Sequence, residues 1–260
     1  MRQQRLIDSH CHVHSVDYPL DKEEVLGRAR EEGVDMVCVG TSLADSKVAV
    51  KFAAEHDGVW AVVGVHPHGE SDSDKSLVMM EQVEEIRELF AAPKVVAIGE
   101  IGLDYHYQPC NKNAQIRLLE RQLQMARETG LPVVFHVREA FEDFWAVLRG
   151  FSGIRGVLHS YTDDLENLKR GVDMGLYIGV NGIATFTKEK KQLDAYRGAP
   201  LERILLETDA PYLTPKPFRG TMNEPANVSL VAKWFAEDRH LPQEEISEVA
   251  TMNTKSLFNI

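Results

Sequence analysis

The chain is predicted to fold as a (β/α)8 barrel, and three features of the sequence carry that expectation. Short, continuous apolar runs rich in β-branched residues recur eight times, the character of strands buried on both faces. Helical patterns lie between them, as in α/β architectures. The length of 260 residues suits a barrel, which takes roughly 250 residues. A doubly wound open sheet is the competing layout. It is disfavoured because the first run leads into DSHCHVH and not into a Gly-rich phosphate turn.

The strand-like runs are Leu6–His12, Met36–Val39, Val59–Val65, Val95–Gly99, Pro132–Val137, Gly156–His159, Leu176–Val180 and Arg203–Leu206 with an extension to Asp209. After the first, Asp21 with Glu24 three residues on has the form of a capping box, and Gly33 closes the helix. Ser76–Ala91 places Val83, Ile86 and Phe90 on one helical face. Asn113–Thr129 does the same with Ile116, Leu119, Leu123 and Ala126, and stops at Gly130 and Pro132. Near the C-terminus, Pro242 marks a helix start, with Ile246, Val249, Ala250 and Leu257 as its stripe. Glu70–Lys75 reads as a loop tip. No linker, low-complexity segment or repeat interrupts this order, so residues 1–260 are expected to form one domain.

Composition narrows the class. Hydrophobic residues make up 43% of the chain, enough for a sizeable core. No apolar run is long enough for a membrane span, and no membrane association is expected. The N-terminus lacks the apolar core of a secretory signal, so a cytoplasmic location is expected. Cys11, Cys38 and Cys110 are an odd, widely spaced set, which argues against a disulfide framework or a zinc ribbon. The formal net charge of −11 gives no general attraction to nucleic acid. Any nucleic-acid contact must rest on local positive charge.

Chemistry in a barrel sits at the C-terminal ends of its strands. The first strand ends in Asp8-Ser9-His10-Cys11-His12, and alternation puts Asp8, His10 and His12 on one face. A His-x-His alone is weak evidence. However, Glu100 follows the fourth strand, His136 ends the fifth, His159 the sixth, and Glu207 and Asp209 the eighth. Six potential ligands, His10, His12, Glu100, His136, His159 and Asp209, thus fall at the ends of five strands. This donor mix suits Zn²⁺, Mn²⁺ or Co²⁺ better than Ca²⁺, with Mg²⁺ also open. Six donors exceed what one tetrahedral ion needs and fit two divalent ions about 3.5–4 Å apart.

The segments IDSHCHVH, GVHPH, IGEIGLDY, PVVFHVREA, VLHSYTDD, ETDAPYLTP and FRGTMNEPANV resemble, in order, the motifs of the TatD family of metal-dependent hydrolases, amidohydrolase-type barrels. The resemblance runs over nearly the whole chain. It implies that His10, His12 and Asp209 hold one metal, that His136 and His159 hold the other, and that Glu100 bridges. It also implies deoxyribonuclease activity, from the 3′ end or on single strands. Two positions depart from the family pattern: His14 stands where Asp is common, and Ser160-Tyr161-Thr162-Asp163-Asp164 replaces a Cys-Phe turn.

Around these ligands, Arg138 shares the face of His136, where it would clamp a phosphate or pair with Glu139 or Glu142. His66 faces inward as a phosphate donor or outer ligand, whereas His68 reads as a solvated loop residue. Glu207 lies deep enough that a lone carboxylate would be heavily penalised. Glu207 or Asp8 is therefore expected to orient a ligand imidazole, with an unrelated ion pair as the alternative. Lys188, Lys190 and Lys191 read as a solvated helix start. Arg219 and Asn223 have a structural or substrate role. Tyr105 and Tyr107 either pack on the rim or stack a base.

The expected reaction is hydrolysis of a phosphodiester in DNA or an oligonucleotide, with Asp209 and Glu100 as the catalytic carboxylates and Arg138 and His66 neutralising the phosphate. Hydrolysis of a small carboxylic ester, lactone or amide is the alternative, and a scaffold that has lost catalysis is disfavoured by the intact ligand set. No obligate protein partner is evident.

Overall fold

The computed structural model describes residues 5–67, 73–108 and 110–260. Its strands are β1 (Leu6–Cys11), β2 (Val34–Val39), β3 (Val59–Val63), β4 (Val95–Asp104), β5 (Val133–Arg138), β6 (Gly156–Leu158), β7 (Tyr177–Val180) and β8 (Ile204–Leu206). They form one eight-stranded sheet in sequence order, parallel in the registers resolved. Helices α1 (Lys22–Glu31), α2 (Leu43–Glu55), α3 (Ser73–Ile86), α4 (Lys112–Thr129), α5 (Phe141–Leu148), α6 (Leu165–Asp173), α7 (Lys190–Gly198), α8 (Val228–Arg239) and α9 (Gln243–Phe258) alternate with them. This is the strand–helix alternation of the (β/α)8 class. Among the described residues no helix is long and apolar enough to cross a membrane. Cys11, Cys38 and Cys110 are free thiols.

The chain divides into two compact units, Met1–Cys38 with His159–Ile260, and Val39–Leu158. In the first unit, β1 pairs with β2 and β7 with β8. Asp21 caps α1 by accepting from the Glu24 N–H at 3.0 Å. Pro242 is the N-cap residue of α9, and Asn253 of that helix donates to the carbonyls of Leu201 and Ile204, tying it to the base of β8.

In the second unit, α4 opens on an Asn111 cap and closes on left-handed Gly130. Its buried face differs from the expected stripe. Ile116 is only half-buried, and Gln115 and Gln122 are buried in line with Leu118, Leu119 and Ala126. These two glutamines, seven residues apart on one face, each grip a strand end. Gln122 bonds both backbone groups of Val65, at 2.8 and 2.9 Å, and Gln115 does the same for Asp104. The residues next to the site are thereby held by side chains of a helix interior.

Several ends depart from the sequence expectation. The fourth strand runs on to Asp104 instead of stopping at Gly99, with a register shift against β5 between Ile98 and Ile101. Glycine permits this close pairing, because a β-carbon on Gly102 would stand 1.7 Å from the His136 carbonyl oxygen. β1, β3 and β8 are shorter than expected, ending at Cys11, Val63 and Leu206. Helix α3 ends at Ile86 and tightens into a 3-10 turn over Arg87–Leu89, leaving Phe90 half-buried beyond it. His68 and residues 70–72 of the Glu70–Lys75 stretch lie outside the described residues, whereas residues 73–75, expected as part of a loop tip, open helix α3.

Candidate metal ligands

The first unit builds a ligand set where β1 ends. Beyond Cys11 the backbone stays zipped to the segment after β8: Asp209 N donates to His10 O at 2.9 Å, and His12 N to Ala210 O at 2.8 Å. Asp209 adopts a left-handed backbone (φ 57°), a conformation that Asp tolerates better than most residues. The result brings the His10 and His12 Nε2 atoms to 3.3 Å of each other, with Asp209 Oδ1 at 3.6 and 3.4 Å from them. Atoms of all three lie within 4.8 Å of one another. Burial works to raise the Asp209 carboxyl, but the His12 hydrogen bond and the His159 and His10 imidazoles outweigh it, so its pKa falls below the ordinary value.

His159 stacks on His10, with ring centroids 3.6 Å apart and planes 16° apart. Its Nδ1 lies 3.0 Å from Glu207 Oε1. The same oxygen accepts from the Ser160 N–H at 2.7 Å and from Asn181 Nδ2 at 3.4 Å. Glu207 thus meets the imidazole of His159 while being satisfied by two further donors. Space for it is kept by Gly179, whose β-carbon would stand 2.5 Å from Glu207 Oε2. Asp8 has another place. It accepts from the N–H groups of His10 and Thr208 and from the Thr208 hydroxyl, bracing β1 against the segment that carries Asp209. Burial pushes its carboxyl pKa well above the usual range despite those bonds.

The second unit builds its set from β3, β4 and β5. His66 follows the Val65 backbone that Gln122 holds, Glu100 lies within the irregular part of β4, and His136 stands on β5. Glu100 Oε1 is 2.8 Å from His136 Nδ1 and 3.4 Å from His66 Nε2. Again, atoms of all three lie within 4.8 Å of one another. His66, expected as a phosphate donor or an outer ligand, thus stands among candidate metal-ligand donors. Asp104, which the sequence reading missed, stands 2.8 Å from His136 Nε2. Its signal was available in IGEIGLDY, where Asp104 follows Glu100 at even spacing, but only if the strand continues past Gly99.

The remaining expected residues are more peripheral. Arg138 donates to the Tyr107 hydroxyl at 3.4 Å and lies 5.2 Å over its ring, while Glu139 pairs with His106. Arg219 is exposed, stacks 3.8 Å over Phe186 and donates to the Thr214 carbonyl. Asn223 is fully buried. Its amide donates to the carbonyls of Thr208 and Tyr212 and accepts from Glu224 N and Asn227 Nδ2. These bonds brace the segment around Asp209. Tyr105 is buried, donating to Asp143, whereas Tyr107 is exposed. The donor chemistry of both sets, imidazole with carboxylate, fits a divalent transition ion.

Comparison with known proteins places this geometry in a family. The family described as TatD related DNase matches residues 7–259. The metal-dependent hydrolase YabD of Bacillus subtilis is 38% identical over 98% of this chain and 99% of its own length. The protein named 3′-5′ ssDNA/RNA exonuclease TatD from Shigella flexneri is 35% identical over 98% of this chain and 99% of its own. Among solved structures, the TatD homologue YjjV of Escherichia coli K12 superposes with a TM-score of 0.89 at 32% identity, covering 99% of both chains. The chain belongs to the TatD family of metal-dependent hydrolases, and its fold is the (β/α)8 barrel of that family.

Proposed function

We propose that the protein hydrolyses phosphodiester bonds of single-stranded nucleic acid, with two divalent ions as cofactors. The observation that carries the substrate class is the 35% identity to a relative named as a 3′-5′ ssDNA/RNA exonuclease. The two His/carboxylate sets support the hydrolytic part of the reading. His10, His12 and Asp209 would hold one ion. Glu100 and His136 would hold the other, and the family resemblance adds His159 to the ligands. Bound there, such ions supply Lewis acidity towards the phosphate and make water acidic enough to attack near neutral pH.

The chain's own residues do the rest. Asp209, whose carboxyl sits below its ordinary pKa, is ionised at neutral pH and can accept a proton from the attacking water at Oδ1 or Oδ2. Returning that proton to the leaving oxygen completes the cycle. Glu207 keeps the His159 ring oriented, and Asp8 and Asn223 keep the Asp209 backbone in place. Arg138 supplies positive charge on the strand that carries His136, in a chain of net charge −11 that would otherwise repel a polyanion.

The test is a substrate panel on metal-reconstituted protein: single-stranded and duplex oligonucleotides, model phosphodiesters, and carboxylic esters and lactones. Release of mononucleotides from single strands is expected. Turnover of the carboxylic esters alone would replace this reading with that of a small-molecule hydrolase.

A further inference from the structure

We infer that Asp104 is a positioning residue for His136, fixing which ring nitrogen is offered to a metal ion. The ring stands between two carboxylates, with Nδ1 2.8 Å from Glu100 Oε1 and Nε2 2.8 Å from Asp104 Oδ2. A neutral imidazole carries one N–H, so one nitrogen donates while the other stays open as a ligand. The two carboxylates differ in what else surrounds them. Glu100 belongs with His66 and His136 to a set whose donor atoms lie within 4.8 Å of one another, and Asp104 is not part of that triad. The side chain of Asp104 has no exposure, and its Oδ1 accepts from the His106 N–H at 3.0 Å. A carboxylate so enclosed must be matched by donors. His136 Nε2, 2.8 Å from Oδ2, is one such donor.

The backbone makes Asp104 a rigid acceptor. Gln115 bonds its N–H and its carbonyl at 2.8 and 2.9 Å, from a position in α4 that is itself buried. β4 continues in register with β5 here, pairing Asp104 with Arg138 and Gly102 with His136. Asp104 therefore cannot follow the ring if the ring turns. The ring is held with Nε2 protonated towards Asp104, and Nδ1 faces Glu100. An outer carboxylate of this kind also makes the ligating nitrogen more basic.

The inference rests on His136 being a metal ligand, and the experiment separates the two claims. The protein is loaded with cadmium-113 and labelled with nitrogen-15 in its histidines. A one-bond metal–nitrogen coupling is expected at His136 Nδ1, with the proton on Nε2. Coupling at Nε2 would overturn the role of Asp104 and leave His136 a ligand. Absence of coupling at either nitrogen would overturn both. Asp104→Leu is expected to weaken one of the two metal-binding steps by about 10–100-fold. Asp104→Asn, whose amide oxygen still accepts from Nε2–H, is expected to restore most of that affinity and keep the Nδ1 coupling. Unchanged affinity for both ions in a folded Asp104→Leu protein would also overturn the inference, and the coupling pattern of the unsubstituted protein needs no variant to fold.

Discussion

His10, His12 and Asp209 are held by regular means, whereas His66, Glu100 and His136 depend on an irregular strand. In the first set, two histidines two residues apart leave the end of β1 on one side, and two backbone hydrogen bonds carry Asp209 to them. In the second, Glu100 lies in the part of β4 where the register against β5 shifts, and its neighbours are fixed by two buried glutamines of α4. Each unit also has an acidic residue beside a histidine, Glu207 beside His159 in one and Asp104 beside His136 in the other. A carboxylate beside an imidazole is thus reached twice on unlike backbones. What the two share is a carboxylate within 3.0 Å of an imidazole nitrogen, a contact that orients the ring on either backbone.

The largest expected effect separates chemistry from assembly in the first set. Asp209→Asn keeps the size and one oxygen, so metal content should remain largely intact on elemental analysis. Its amide cannot accept the proton, and kcat is expected to fall about 10²–10⁴-fold. Near-normal turnover by metal-loaded Asp209→Asn would move the proton elsewhere, with His66 the next candidate.

Next comes metal stoichiometry, which asks whether both sets bind. More than one equivalent of divalent ion per chain is expected after reconstitution, falling towards one in His136→Ala. Glu100→Gln is expected to lower occupancy further, since the family resemblance has its carboxylate serve both ions. No more than one ion in the fully loaded parent protein would break the comparison, because only one set would then be a metal site.

The two sets also differ in how far the sequence announces them. His10 and His12 are legible because side chains alternate along a strand, and Glu207 because a carboxylate so deep must have a partner. Asp104 is not legible beside His136, because the apolar run stops at Gly99, and only pairing with β5 shows that the strand continues. His66 is legible only as a phosphate donor or an outer ligand, for a related reason. Its place among the donors is set by Gln122, a polar residue on a helical face where apolar residues are expected. Buried glutamines at seven-residue spacing are the signal that would have marked both strand ends.

A smaller effect is expected where the acidic residue behind His159 is removed. Glu207→Leu should weaken metal binding by about 10–100-fold and leave the donors in place. Glu207→Gln retains an oxygen for the Ser160 N–H and should lose less. Isothermal titration with Zn²⁺ distinguishes the two. Equal and complete loss in both variants, with a lowered Tm, would show that Glu207 serves folding and not the orientation of His159.

The smallest effects belong to the two arginines, one in each unit. Arg138 lies over Tyr107, and Arg219 lies over Phe186 while donating to the Thr214 carbonyl of its own loop. Stacking leaves most N–H groups of a guanidinium open, and although Arg138 donates one to the Tyr107 hydroxyl at 3.4 Å, either can still reach a phosphate oxygen. Arg219 has already committed one donor to the backbone, and its removal should act partly through that loop. Removing a true phosphate contact weakens binding severalfold and lowers the magnitude of the salt slope by about 1. Arg138→Ala should therefore flatten the dependence of single-strand affinity on salt, with metal content unchanged. Arg219→Ala should flatten it less. Measured across a series of salt concentrations on a short oligonucleotide, an unchanged slope in Arg138→Ala would remove that residue from the phosphate path, and the local positive charge that an acidic chain requires would have to come from Arg219 and the bound ions.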